Sequence, residues 1–240
     1  MMTDQPDARS TNDSPDPHLG EPLLVEDVLL LLFQPDSGSI AGENILFYVL
    51  GGAALGDLAL QERIEMRNEG ALTSRIHALD AQSAPDELLA PGLEYIERKP
   101  RDAQTVLAAI GPNLRAPVLD RLVERGDLTR EQGRSLGIFP TTKLALGSDR
   151  RAVLIERVRS VLTDGETPDI RTAASIALLS ASGTLPQFHR EIPWSGDVYT
   201  RAKAIERGDW GAAAAAEAVA RTMSAVLTNA LIAALALPKN

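Results

Sequence analysis

Three histidines and no cysteine narrow the chemistry open to this 240-residue chain. Without thiols there is no disulfide framework, thiolate zinc site, iron–sulfur cluster or cysteine nucleophile. His18, His77 and His189 are far apart, and no His-Glu-x-x-His pair occurs, so neither a metal nor a cofactor is expected. A Gly-x-Ser-x-Gly elbow and a Gly-x-x-x-x-Gly-Lys phosphate loop are also missing. Asp36-Ser37-Gly38 is too short for a calcium loop, which needs oxygen ligands over about 12 residues. The Gly-Gly-Ala-Ala-Leu-Gly string at 51–56 lacks the spacing of a dinucleotide loop and follows no strand, which makes it a packing feature. Glu26 and Asp27 are adjacent, so on a helix they point to different faces and do not share an acid–base role. His77 and His189 read as structural histidines. The expectation is a protein that is not an enzyme.

The residues that carry a pattern lie between 114 and 146. Leu136, Ile138 and Phe139 rise from a polar stretch flanked by Arg130, Arg134 and Lys143. An apolar tip ringed by cations suits a membrane interface, where the tip enters the headgroup boundary and the cations meet phosphates. The same three residues could instead fold back into the core, and Arg115, Arg121, Lys143 and Arg151 could pair with carboxylates. Two further readings stay open. A helix followed by Arg-Gly-Asp-Leu-Thr and a loop has the form of a recognition helix and wing, the mark of a winged-helix nucleic-acid binder. A cytosolic scaffold forming a homo-oligomer through the apolar hairpin is the other. The formal charge of −9 argues against a nucleic-acid partner. That charge is uneven, with a net of −14 over residues 1–97 and +6 over 98–159. Such asymmetry fits a molecule that meets an anionic surface with one face only.

Positioning these residues falls to a mainly α fold. Residues 1–21 are rich in Asp, Pro, Ser and Thr without apolar periodicity, and form an expected disordered acidic tail. Residues 22–240 form one helical domain. Helices are predicted at 23–33 (buried), 44–60, 88–97, 103–110, 118–125, 150–162, 170–180 and 210–237, the last starting in alanines and running through the centre. Turn residues at 34–38 end the first helix, and Gly126 sits where a C-cap glycine belongs. Gly52 and Gly56, at i and i+4, mark a face where another helix approaches closely. Alternation around Ile64 and Met66 predicts a short β-hairpin near 63–79. No stretch reads as membrane-spanning. The most apolar, 223–237, has 15 residues where about 20 are needed, and 45–60 contains Asp57. With no basic-then-apolar leader at its start, the chain is expected in the cytoplasm.

Several blocks, in order, resemble the Golgi phosphoprotein 3 family: Leu23-Leu24-Val25-Glu26-Asp27-Val28-Leu29-Leu30-Leu31; Gly52 through Asp57-Leu58-Ala59-Leu60; Leu122-Val123-Glu124-Arg125-Gly126-Asp127-Leu128-Thr129; Phe139-Pro140-Thr141-Thr142; and the alanine-rich C-terminal segment. The likeness spans roughly residues 22–237. Arginine outnumbers lysine 20 to 4, a bias that suits a bacterial member. The resemblance implies a helical bundle around a buried C-terminal helix, with a projecting apolar hairpin that maps onto 131–142. It implies a peripheral membrane adaptor that binds anionic phospholipid, specifically the headgroup of phosphatidylinositol 4-phosphate. Carried over position by position, the family's headgroup tryptophan falls on Gly42, one arginine on Gly51, another on Pro112, and the last on Arg115, which alone is kept. Lys143 and Arg151 are further candidates for the anion site. Each charge-assisted hydrogen bond to a phosphate is worth about 1.5–3 kcal/mol, so losing two arginines and a tryptophan is expected to weaken headgroup specificity.

Overall fold

The leucine-rich helix α1 (Leu24–Leu32) is buried along its whole length, acidic residues included. A helix with this composition has no solvent face and must be surrounded. Its first N–H groups are met from outside: the Asp57 carboxylate accepts from Leu24 N–H at 2.7 Å and Val25 N–H at 2.9 Å, and Glu26 accepts from Leu23 N–H at 3.1 Å. These acceptors satisfy donors that every helix start leaves orphaned. The computed structural model describes residues 19–69, 74–80, 85–135 and 139–209, with only the backbone at 132–135 and 139–142. Most of the acidic tail, Leu136 and Ile138, the side chains of Arg134 and Phe139, and the 210–237 segment therefore lie outside the described residues.

After α1 come a two-residue pair, β1 (Phe33–Gln34) and β2 (Ser39–Ile40), then a 3-10 turn at Glu43–Ile45 and helix α2 (Leu46–Leu60). A hairpin of β3 (Ile64–Asn68) and β4 (Ser74–Ala78) follows in the expected place. Next are α3 (Ala90–Glu97), α4 (Ala103–Ile110), a 3-10 turn at Gly111–Asn113 and α5 (Arg115–Glu124). The second long hairpin is β5 (Leu128–Ser135) with β6 (Phe139–Leu146). It is followed by α6 (Arg150–Arg159), a π-helical turn at Ser160–Asp164, α7 (Ile170–Ala181), a 3-10 turn at Leu185–Phe188 and α8 (Gly196–Glu206). The fold is mainly α, with three two-stranded antiparallel sheets among the described residues.

Several boundaries differ from the sequence reading for local reasons. The turn after α1 is a small hairpin, because Phe33 and Ile40 both enter the core and pair. Helix α5 begins at Arg115 because Pro117 falls in its first turn, where a missing N–H costs nothing. Helix α8 was not expected: its polar exposed residues mask the spacing of Val198, Ala202 and Ile205, which are buried, while Ser195 caps it by accepting from Val198 N–H.

The core runs continuously from α1 through α2 to α4, α5 and α7. Helix α2 packs on α1, on α4 and the turn after it, and on α7. The segment Glu43–Leu60 is long and apolar enough to cross a membrane, but 67% of it is buried within this fold. Among the described residues, one tight approach on it is at Gly51, where a Cβ would meet Leu107 at 2.9 Å. A side chain on Gly111 would lie 2.1 Å from the Phe47 carbonyl oxygen, so a glycine there lets the turn after α4 sit directly on α2.

Candidate functional site

The β5–β6 hairpin is built on a rigid root. Helix α5 ends at Gly126, whose φ of +77° favours glycine, with the Asp127 N–H bonded back to the Leu122 carbonyl at 2.9 Å. Leu128 then buries itself in the core, and eight residue pairs run from Leu128–Leu146 to Ser135–Phe139. Polar groups tie this root to α1. Asp127 accepts from Ser148 Oγ at 2.7 Å and from Arg150, and Arg150 also reaches Asp27. Asp27 is shared with Arg171, which bonds at 2.5 Å and also donates to the Pro22 carbonyl. Arg125 donates to Glu26 at 2.5 Å and to the carbonyls of Leu19 and Gly20, so the chain is anchored from Leu19 onward. Burial works against the Arg150 charge, but Asp27 and Asp127 more than offset it and raise its pKa.

The Glu-Asp and Arg-Gly-Asp blocks are thus a buried ion network rather than ligand groups. Three of its four ion pairs join residues 99 to 144 positions apart, which is why pattern reading missed them. The available signal was three acids, Glu26, Asp27 and Asp57, inside apolar runs, since buried carboxylates require partners. Asp57 sits deepest, and burial pushes its carboxyl up to about 7 despite the two N–H donors it accepts from.

Asp120 pairs with Arg130, so β5 runs back along α5. Five helical residues separate Asp120 from the start of α5, roughly 7.5 Å. Five strand residues carry β5 from Arg130 to its end, roughly 16 Å. The far end of the hairpin therefore lies toward the side where α5 begins and where Arg115 sits. Lys143, on β6, is exposed, and its stem lies over Gly38 of the β1–β2 turn. Among the described residues no carboxylate pairs with it.

The four family positions fall on two neighbouring segments. Arg115 donates to Glu43 at 2.6 Å, beside Gly42, and both side chains are about half exposed. Gly42 has φ +67°, and a side chain there would meet Thr184 at 2.7 Å. Gly51 is buried, and a Cβ on it would meet Leu107 at 2.9 Å. Pro112 lies in the turn that packs on α2. The fold thus joins Arg115 to the 42–43 loop and Gly51 to the 111–112 turn, leaving no open arginine-lined pocket among these side chains. Arg121 is paired with Asp86 at 2.6 Å. Arg151 lies elsewhere: it is 4% exposed, donates to the Phe33 carbonyl at 2.8 Å, and pairs with Glu191. His77 bonds to Glu69 at 2.7 Å. Among the described residues, no three His, Asp or Glu side chains converge as metal ligands.

Comparison with known proteins agrees with the arrangement of these blocks. The model of the Golgi phosphoprotein 3 (GPP34) family matches residues 24–222, from the start of α1 to well beyond α8. A search of curated proteins finds no match. The match takes in α1, the Asp57 cap, the Arg-Gly-Asp corner and the whole β5–β6 hairpin, and the chain belongs to the Golgi phosphoprotein 3 family.

Proposed function

We propose that this chain is a non-enzymatic peripheral membrane adaptor that docks on anionic phospholipid through the β5–β6 hairpin and the cations beside it. The observation that carries this reading is the hairpin itself. Eight backbone pairs rise from a buried ionic root, and the apolar Leu136-Gly137-Ile138-Phe139 sequence joins the two strands. Lys143 is exposed and has no carboxylate partner among the described residues, and at a lipid surface both it and the apolar sequence would find partners. Family membership supports the same reading.

Headgroup selectivity is a separate matter. Arg115 shares an exposed ion pair with Glu43 and is the one arginine kept of the family set, and Gly51 packs against Leu107 and Gly111. Attraction is then set by surface charge rather than by phosphatidylinositol 4-phosphate. Flotation with vesicles of phosphatidylcholine and increasing phosphatidylglycerol tests this. Binding is expected to rise with the anionic fraction and to fall as salt is added. Replacing phosphatidylglycerol by phosphatidylinositol 4-phosphate at equal charge is expected to change affinity by less than about tenfold, below the worth of a single charge-assisted hydrogen bond. A larger preference would overturn the selectivity argument, and absence of binding to every anionic composition would overturn the docking proposal.

A further inference from the structure

Behind the β1–β2 turn lies a cavity of about 350 Å³, separate from the four family positions. Three distant stretches wall it: Gln34 and Asp36 of the turn, Arg151 of α6, and 187–191 after the last 3-10 turn. The floor is polar and fixed. The Arg151 guanidinium donates to the Phe33 carbonyl through Nε, and its other two nitrogens reach both carboxylate oxygens of Glu191. At the rim, Arg190 donates to Asp36 at 2.8 Å, with both side chains well exposed. Two guanidiniums therefore face two carboxylates, and the walls carry no net formal charge apart from His189.

The uncommitted groups are mainly neutral. Among the described residues, neither the Gln187 carboxamide nor the His189 imidazole hydrogen-bonds to another protein group, and Gln34 Nε2 makes only a long 3.4 Å contact to the Leu32 carbonyl. Carboxamides and an imidazole supply both donors and acceptors, and the rim pair adds spare N–H groups and a free carboxylate oxygen. A phosphate dianion would meet Asp36 and Glu191 as well as the arginines. A ring of hydroxyls suits the walls better, because each hydroxyl donates once and accepts twice. The volume is near the roughly 300 Å³ lower end for small-ligand pockets, which fits one ring rather than an extended molecule.

We propose that this cavity binds one cyclic polyol of hexose type, free in solution or as the headgroup of a glycolipid. The proposal does not depend on membrane docking, because a free sugar needs no bilayer. The test uses the full chain. Saturation-transfer NMR is recorded with D-glucose, D-galactose and D-mannose, each in competition with inorganic phosphate. Flotation on neutral phosphatidylcholine vesicles, with and without a digalactosyl lipid, is the second arm. The variant Gln187→Ala/His189→Ala alters two exposed side chains and is checked for an unchanged Tm. Saturable binding of at least one sugar, weakened about tenfold in the variant, is expected, the equivalent of one lost hydrogen bond. Glycolipid-dependent flotation assigns a lipid source, and sugar binding without it assigns a soluble one. No binding in either arm, binding untouched by the variant, or displacement of the sugar by phosphate would overturn the proposal.

Discussion

Asp57 meets two opposed demands, since it must offer acceptors to the first N–H groups of α1 while sitting 2% exposed among leucines. Burial dominates, and the carboxyl is held at about 7 against an ordinary 3.8. Between those values the folded state keeps a proton that the unfolded chain has released. Stability from this group is therefore complete below pH 3.8 and is lost as pH rises through 7, by an amount on the order of a few kcal/mol. Urea unfolding of the wild type and Asp57→Asn across pH 4–8 checks it. The wild type is expected to lose stability with rising pH relative to the variant, whose slope lacks this contribution. At this scale the sequence was legible in part. Adjacent Glu26 and Asp27 do diverge, one to Arg125 and the other to Arg150 and Arg171. Which arginines they meet was hidden, because helix periodicity describes one element and ion pairing joins several.

Close approach between elements is what sets the site's present shape. The turn at Gly111–Asn113 lies on α2 because Gly111 has no side chain, and that contact places Pro112 and Gly51 against one another's segments. Gly111→Ala would set a methyl group 2.1 Å from a backbone oxygen, which flexing side chains cannot relieve. A loss of about 1–3 kcal/mol in urea unfolding is expected, as for other overpacked cores. The strongly apolar helices were legible to within a few residues, including α1, α4 and α7. The long hairpin was legible only in its outer part, 131–142 against an observed 128–146. Thr129, Arg130 and Lys143 look like loop residues until their pairing partners are known. Helix α8 escaped because its exposed face is polar and its three buried positions, Val198, Ala202 and Ile205, are thinly spaced.

The net charge of −9 hides the molecule's division of labour. Much of the +6 middle segment is internally spent, with Arg121, Arg125, Arg150 and Arg151 all on carboxylates. Among the described side chains of the hairpin, Lys143 stays available, together with Arg130, whose exposed pairing with Asp120 is weak. Family membership was legible because five short blocks keep their order, although each alone is common. The positions that the resemblance implies for the headgroup are Gly42, Gly51, Pro112 and Arg115, while the packing of Gly51 against Leu107 and Gly111 needed the fold. Docking of the hairpin on lipid is tested by flotation of the wild type and Phe139→Asp on phosphatidylglycerol-containing vesicles at low salt. The wild type is expected to float, and the variant, with an unchanged Tm, to stay in the protein fraction. Equal flotation of the two proteins would contradict it.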